Sequence, residues 1–549
     1  MWPKKFWLLG ILFLGAVLRF YKLDWGEGNF FHPDEYHIAG AVSRLSFPSQ
    51  MNPHLFTYGS FTVYLIYFTK LALAALHLKI FNLDPILLGR FYSALFSTLT
   101  IAVVFLITQK LVKNNWGPCL AALLTTLTPG LIQQAHFATP ESILTFWLLT
   151  TLYLVLTWHE QKKLKFLYLA AGALGLALAT KVVAAFLLPI LIIPSQNLLR
   201  LFKQPKKLIL YSIKLVVLPL LVMGLIFFLV FPYAVLDYQA FRGSMNYETG
   251  VGEGNPVVFY TRQFINTVPV IFQIQKIFPY ALGPAVEIMG ILGFLAICFA
   301  LAKTTFRKKF SIFNFQFSIF VIAFLLYFLP SAFLFAKWTR FMAPIFPFFA
   351  IFTAYLVSRV KNRIFLVISY SLLVVSFLWT MAFFSIYLQP DIRVAATDWT
   401  KTNLPAAATI FTEQGNMIEA PMGGNFKKLS LDFYGLEENP EIRQLVPEYL
   451  AQADYFIVQS RRLFTNHQRL PALYPQTARF YDLLFSGALG FEKIKKFNSF
   501  PKLEIGNLKL EIRDEIAEET WSVFDHPVIR IYQKMIPLSK QDYEQILKI

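Results

Sequence analysis

Apolar positions run in long blocks through the first 390 residues and in short groups after that. Twelve blocks approach the ~20 residues a helix needs to cross about 30 Å of hydrocarbon. They are 6–23, 59–80, 86–108, 117–134, 140–158, 165–181, 182–199, 208–231, 283–302, 315–336, 341–358 and 364–388. Beyond residue 390 the pattern shortens. Thr409–Thr412, Tyr455–Gln459, Leu508–Ile512 and Val528–Gln533 read as strands, and Pro440–Gln452 and Thr477–Ser486 as helices. The expected fold is a polytopic α-helical membrane region, residues 1–389, followed by an α/β domain, residues 390–549. No internal repeat or low-complexity segment is visible.

Basic residues orient the blocks. They gather at Lys4/Lys5, Lys110/Lys113, Lys162/Lys163/Lys165, Arg200/Lys203/Lys206/Lys207, Lys303/Arg307/Lys308/Lys309 and Arg359/Lys361/Arg363. Such loops belong on the cytoplasmic side. If all twelve blocks cross, five of the six clusters fall outside; if 59–80 does not cross, all six fall inside. The expectation is therefore eleven spans, with 59–80 along the outer interface. Tyr58, Tyr64, Tyr67, Lys70 and His77 suit an interfacial helix. This puts the N-terminus in the cytoplasm and residues 24–85, 232–282 and the tail outside a plasma (inner) membrane. The first run lacks a small-x-small cleavage pattern and reads as an uncleaved span.

Composition agrees. The chain is 56% hydrophobic and 15% charged, against about 25% charged in soluble domains. That excludes disordered, collagenous and disulfide-rich secreted classes. The net charge of +18 sits in loops suited to anionic lipid, not nucleic acid. Cys119 and Cys298 both lie in apolar runs, so no disulfide framework or thiolate metal site is expected.

Only 11 of the 32 acidic residues precede residue 390, so their positions are informative. Asp34 and Glu35 follow His32 and Pro33 just outside the first span. The plain reading is a helix start, with Pro at the first position and acids in the first turn. The sharper reading is a partly desolvated carboxylate, the condition that makes a useful base. Glu141 follows Pro140 at another outer helix start, and the topology puts it on the same face. Arg90, Lys181, Arg262, Lys337 and Arg340 share that level. Singly each would snorkel; beside carboxylates they suit a lipid phosphate. For a sugar on a lipid-linked phosphate, cations serve the leaving group and one carboxylate serves the incoming hydroxyl. In-line attack would invert the anomeric centre.

His32-Pro33-Asp34-Glu35 resembles the acidic motif of GT-C membrane glycosyltransferases. The nearest are glycosyltransferase family 39, the protein O-mannosyltransferases, and the aminoarabinose transferases (ArnT). Gly89-Arg90-Phe91-Tyr92-Ser93, Thr139-Pro140-Glu141-Ser142-Ile143-Leu144, Ala179-Thr180-Lys181 and Arg340-Phe341-Met342-Ala343-Pro344-Ile345-Phe346-Pro347 are similar to further motifs, in order, across roughly residues 1–390. The resemblance implies a polyprenyl-phosphate-linked sugar as donor, Asp34 as base, and Glu35 and Glu141 as residues that shape the site. It also implies that Arg90, Lys181 and Arg340 face the donor phosphate. Two features depart from it. Thr57-Tyr58-Gly59-Ser60 stands where aminoarabinose transferases carry Lys-Pro, and Glu141 replaces the usual Asp. Tyr474-Pro475-Gln476-Thr477-Ala478-Arg479-Phe480-Tyr481 and Val523-Phe524-Asp525-His526-Pro527 resemble tails of bacterial members, where a role in acceptor selection is expected.

A divalent metal is the one cofactor left open. His32, His136 and Glu141 are the candidate ligands, at no recognised spacing; hydrogen-bonded interfacial histidines are the plain alternative. The acceptor is open among protein, lipid and polysaccharide. The rival function is a lipid or glycolipid transporter or flippase. That would want inverted repeats and charges deep in spans, and neither is seen. A sugar-binding membrane receptor without catalysis is a third reading.

Overall fold

The computed structural model describes residues 4–114, 116–192, 212–306, 312–359, 363–414 and 419–548. The basic residues Arg200, Lys203, Lys206, Lys207, Arg307, Lys308, Lys309 and Lys361 lie outside these, as does part of the expected blocks 182–199 and 208–231. Among the described residues six helices are long and apolar enough to cross a membrane. They are Pro85–Leu111, Glu141–Gln161, Ile213–Val230, Pro284–Lys303, Phe315–Phe333 and Thr339–Arg359. The pair Leu373–Leu388 and Ile392–Asn403, bent by 44°, makes a seventh if counted as one span. The chain is a multi-pass membrane protein. Helix length alone does not establish eleven spans: Phe6–Phe20, Gly117–Thr126, Leu164–Thr180 and Val182–Ile192 are apolar but short. The block 59–80 is helical over Ser60–Ala75, 16 residues, or about 24 Å, less than the hydrocarbon thickness.

The expected block 117–134 is broken, for a visible reason. In 117–134 the helix stops at Thr126 and restarts at Pro129. Proline lacks the N–H that would continue the ladder. The carbonyls released at the break are taken by a buried arginine: Arg19 donates to Thr125 O (3.0 Å) and Thr126 O (3.2 Å), and its other donors reach Gly15 O (3.2 Å) and Ser97 Oγ (2.8 Å). Backbone groups freed inside a bilayer need such partners. The helix Leu164–Thr180 ends where Lys181 turns extended (φ −159°, ψ 127°) and the chain continues as a 3₁₀ turn, Val182–Leu187.

The chain separates into two compact units. One is Met1–Leu23, Asp34–Pro256 and Thr267–Thr380, the helical membrane unit; the other is Asp24–Pro33, Val257–Asn266 and Met381–Ile549. The second unit contains a five-stranded sheet. Its strands are β1 (Thr409–Gln414), β2 (Lys427–Asp432), β3 (Tyr455–Val458), β4 (Phe491–Phe497) and β7 (Ile529–Lys534), with β5 (Lys502–Ile505) and β6 (Leu508–Glu511) forming a separate hairpin. The order is β2-β1-β3-β7-β4. β1 runs parallel to β2 and β3, while β7 is antiparallel to β3 and β4. The expected strands at 409, 455, 508 and 528 are present within a residue or two, as are helices Pro440–Gln452 and Pro475–Phe485. Phe411, Phe433, Phe456, Phe480 and Tyr481 fill one side of the sheet.

The two strips from earlier in the chain are fixed inside this second unit. The Arg393 guanidinium lies 4.0 Å from the Phe31 ring, and the His32 ring is 4.2 Å from Phe524. Gln263 Nε2 donates to Glu518 Oε1 (2.8 Å), and Arg469 donates to Ile265 O (2.9 Å) and Gln263 O (3.2 Å). Nearby, His526 is held between Asp525 and Asp514. Burial alone would lower its pKa, but the two carboxylates push it up to about 10. His526 is thus an imidazolium at neutral pH, donating from both ring nitrogens.

Candidate active site

The helix Pro33–Ser43 begins as its sequence suggests, with Pro33 first and Asp34 and Glu35 in the opening turn. Adjacent helical side chains diverge by roughly 100°, and these two carboxylates go to different partners. Glu35 turns inward. Arg90 Nε and Nη2 donate to its two oxygens at 2.8 Å each, and Ala138 N donates to Oε1 at 2.7 Å. Arg90 Nη1 donates to Leu23 O at 2.8 Å. Both side chains are wholly buried. The expected phosphate-facing role of Arg90 therefore meets a different geometry: its fork is occupied by Glu35 and a carbonyl.

Asp34 instead meets Arg340, whose Nη1 donates to Asp34 Oδ2. These side chains keep 17% and 20% of their surface exposed. Arg340 comes from the short helix Thr339–Met342, and its guanidinium packs over Trp338 and Phe341. Nη1 also lies 3.5 Å from the Tyr58 hydroxyl. The Tyr58 ring leads to the next cation, since Lys181 Nζ stands 5.5 Å from its centre and 4.9 Å from that of Phe341. Lys181 Nζ then donates to Glu141 Oε1 at 2.8 Å. Glu141 is 1% exposed, and its Oε2 accepts no hydrogen bond among the described residues. Two carboxylate–cation pairs, joined through Tyr58 and Phe341, form one polar patch in the membrane unit. Asp34 is the reachable carboxylate of the two.

Local backbone features set this geometry. Pro140 precedes Glu141 at its helix start, and the extended break at Lys181 ends a helix there. Gly59 N donates to Thr180 O at 3.0 Å. A Cβ on Gly59 would sit 1.9 Å from Ala179 O. Gly59→Ala is therefore expected to cost about 1–3 kcal/mol and to displace Tyr58. A lower unfolding temperature together with slower turnover would show it; unchanged stability would refute the close approach.

The other expected site residues lie elsewhere. Lys337 is buried with Nζ 2.9 Å from Phe335 O. Arg262 and His32 belong to the second unit. There Arg262 stacks 4.6 Å from Tyr474, contacts His467 Nε2 at 3.0 Å and lies 3.7 Å from Glu438. The proposed metal ligands do not assemble: among the described residues no three His, Cys, Asp or Glu side chains group as a metal site. The His136 ring nitrogens instead lie 2.8 and 3.0 Å from Ile132 O and Tyr21 O.

Sequence reasoning missed one acidic residue of the patch. Glu248, on the helix Tyr238–Glu253, accepts from Thr57 Oγ1 at 3.1 Å. Burial raises its pKa, while the Thr57 hydroxyl and then the Lys181 charge pull it back. A signal was present: Phe241, Ser244, Met245, Glu248 and Val251 recur at helical spacing, and all five are among the less exposed positions of that helix.

Residues 73–241 match the family described as dolichyl-phosphate-mannose-protein mannosyltransferase. An uncharacterized protein of Aquifex aeolicus is 31% identical over 140 residues, 26% of this chain and 28% of that one; the match thus spans just over a quarter of that relative. The Archaeoglobus fulgidus oligosaccharyltransferase in the apo form is similar in structure, with TM-score 0.51, 14% identity, and 87% of this chain and 73% of that chain covered. ArnT from Cupriavidus metallidurans bound to undecaprenyl phosphate gives TM-score 0.46 at 14% identity, with 82% and 91% covered. The S. cerevisiae protein O-mannosyltransferase Pmt1-Pmt2 complex bound to the sugar donor gives 0.33 at 18%, with 44% and 34% covered.

Proposed function

We propose that this chain, whose residues 73–241 match the family described as dolichyl-phosphate-mannose-protein mannosyltransferase, moves one sugar from a polyprenyl phosphate to an acceptor hydroxyl. The observation that carries this reading is the patch itself, in which the half-shielded Asp34–Arg340 pair connects through Tyr58 to Lys181 and Glu141. In the resting site each cation is neutralised by a carboxylate. An arriving donor phosphate competes for Arg340 and Lys181, and Asp34 is released. Asp34 then takes the proton of the acceptor hydroxyl as its oxygen attacks the anomeric carbon. The bond from that carbon to the phosphate oxygen breaks, with its electron pair left on the phosphate. The two cations stabilise this charge, so no general acid is needed. Attack opposite the phosphate inverts the anomeric centre.

The remaining features of the reading follow from the charge pattern. With the bent pair counted as one span, seven long helices and four shorter apolar ones make up the eleven crossings of this reading, with Ser60–Ala75 at the outer interface and the patch and tail outside the plasma membrane. Residues 1–389 carry the transfer chemistry, and the domain from residue 390 selects the acceptor. Glu35 and Arg90 brace the opening turn, and Glu141 holds Lys181.

The test supplies purified full-length protein in lipid nanodiscs with labelled polyprenyl-phosphate mannose and, separately, the aminoarabinose donor, together with envelope lipid and protein acceptors. Labelled sugar on an acceptor with inverted anomeric configuration is expected. A protein that transfers neither sugar but carries labelled lipid between liposome leaflets would overturn the reading in favour of a flippase.

A further inference from the structure

Glu248 is the acidic group of the patch that the mechanism above does not use. It lies on the inward stripe of Tyr238–Glu253, where neighbouring positions are apolar or small. Placing a carboxylate there carries a desolvation cost, so its surroundings are informative. The Thr57 hydroxyl bonds its Oε1. The next residue, Tyr58, carries the contact to Arg340 and packs beside Lys181. Two consecutive residues thus connect Glu248 to the Asp34–Arg340 pair.

Charge decides what Glu248 can meet. Lys181 is ion-paired with Glu141 and Arg340 with Asp34. Among the described residues Glu248 has no cation within ion-pair distance, and Lys181 acts on it from farther away. A carboxylate in that state repels phosphate and accepts hydrogen bonds from neutral donors. The donor phosphate therefore belongs at Arg340 and Lys181, and the uncharged part of the donor faces Glu248.

We propose that Glu248, with Thr57, forms a subsite that binds hydroxyl groups of the transferred pyranose and so selects the sugar. This deepens the proposed function and rests on it. A carboxylate accepts two neighbouring hydroxyls at once, and the Thr57 hydroxyl fixes which way it points. A hydrogen bond to a charged acceptor that is lost on substitution corresponds to about a 10–100-fold change in binding.

The experiment uses the full chain in nanodiscs with polyprenyl-phosphate mannose and its 2-, 3-, 4- and 6-deoxy analogues as probes. Glu248→Gln is expected to raise the donor KM about 10–100-fold with kcat changed only a few-fold. One deoxy analogue should cost the parent a similar factor and cost Glu248→Gln nothing further, since the same contact cannot be lost twice. Glu248→Asp should recover part of the loss. A purely structural role would leave the deoxy penalties unchanged, and that additivity would overturn the proposal. So would a Glu248→Gln protein with the parent's KM. If Glu248→Gln does not purify in folded form, Thr57→Val makes the same comparison. A parent that transfers none of these sugars defeats the donor assignment of the preceding section instead, and the subsite with it; a parent that transfers them while the variants behave as wild type defeats the subsite alone.

Discussion

An Asp34→Asn enzyme is expected to transfer sugar about 10²–10⁴-fold more slowly than its parent, the usual loss when a positioned base is removed. Its donor affinity should hold or improve. Asp34 is paired with Arg340; in the proposed mechanism it would compete with the donor phosphate for that guanidinium, and the neutral amide would compete less. A lost kcat with retained or tighter donor binding is thus the signature of a base that also guards the cation. Initial rates with labelled donor give kcat, and a direct titration with the same lipid gives Kd. An Asp34→Asn enzyme that turns over at the parental rate would remove Asp34 from the chemistry. One that binds donor much more weakly would assign it to donor binding. The pairing also implies an order. In the proposed mechanism the carboxylate stays engaged until phosphate arrives, and the acceptor is activated only then.

The second large effect concerns stability. Removing one partner of a buried, hydrogen-bonded ion pair costs about 3–5 kcal/mol, because the other charge remains buried and uncompensated. Arg90→Met leaves Glu35 with only the Ala138 N–H, and Glu35→Gln leaves the Arg90 fork facing a neutral amide. Each single variant should unfold at markedly lower temperature. The double variant, which removes both charges, should recover much of the loss. Arg90→Lys should rescue poorly, since one ammonium cannot reproduce two parallel N–H bonds. Thermal unfolding followed by size-exclusion chromatography in detergent reads this directly. If Arg90→Met keeps parental stability but loses donor binding, Arg90 acts on the phosphate, as its position in the sequence suggests.

Much of the site is legible from sequence because charges are rare in apolar surroundings. Glu141, Lys181 and Arg340 each stand at the end of an apolar run and Asp34 in the loop after the first, and the structure brings all four together. Their pairing is not legible. Asp34 and Arg340 are 306 residues apart, and nothing local fixes which carboxylate meets which cation. The division between Asp34 and Glu35 is also hidden, since both fit the same helix-start rule and only the rotation between neighbours separates them. The partners of Arg262 are hidden as well, since Tyr434, His467 and Tyr474 lie about 200 residues downstream. In the tail, β1, β3 and β7 show through as apolar strands. β2 and β4 do not: Lys427–Asp432 and Phe491–Phe497 are the edge strands of the sheet, mostly exposed and rich in lysine, which protects an edge while masking the strand pattern.

The strips Asp24–Pro33 and Val257–Asn266 belong to the same compact body as the tail. A gene fragment encoding residues 390–549 alone would therefore omit pieces of its own interior: the Arg393 guanidinium would lose its aromatic platform, and Glu518 its amide. During synthesis the two strips leave the ribosome well before the first strand of the sheet that receives them, so this unit is completed only when the last strand, Ile529–Lys534, has been made.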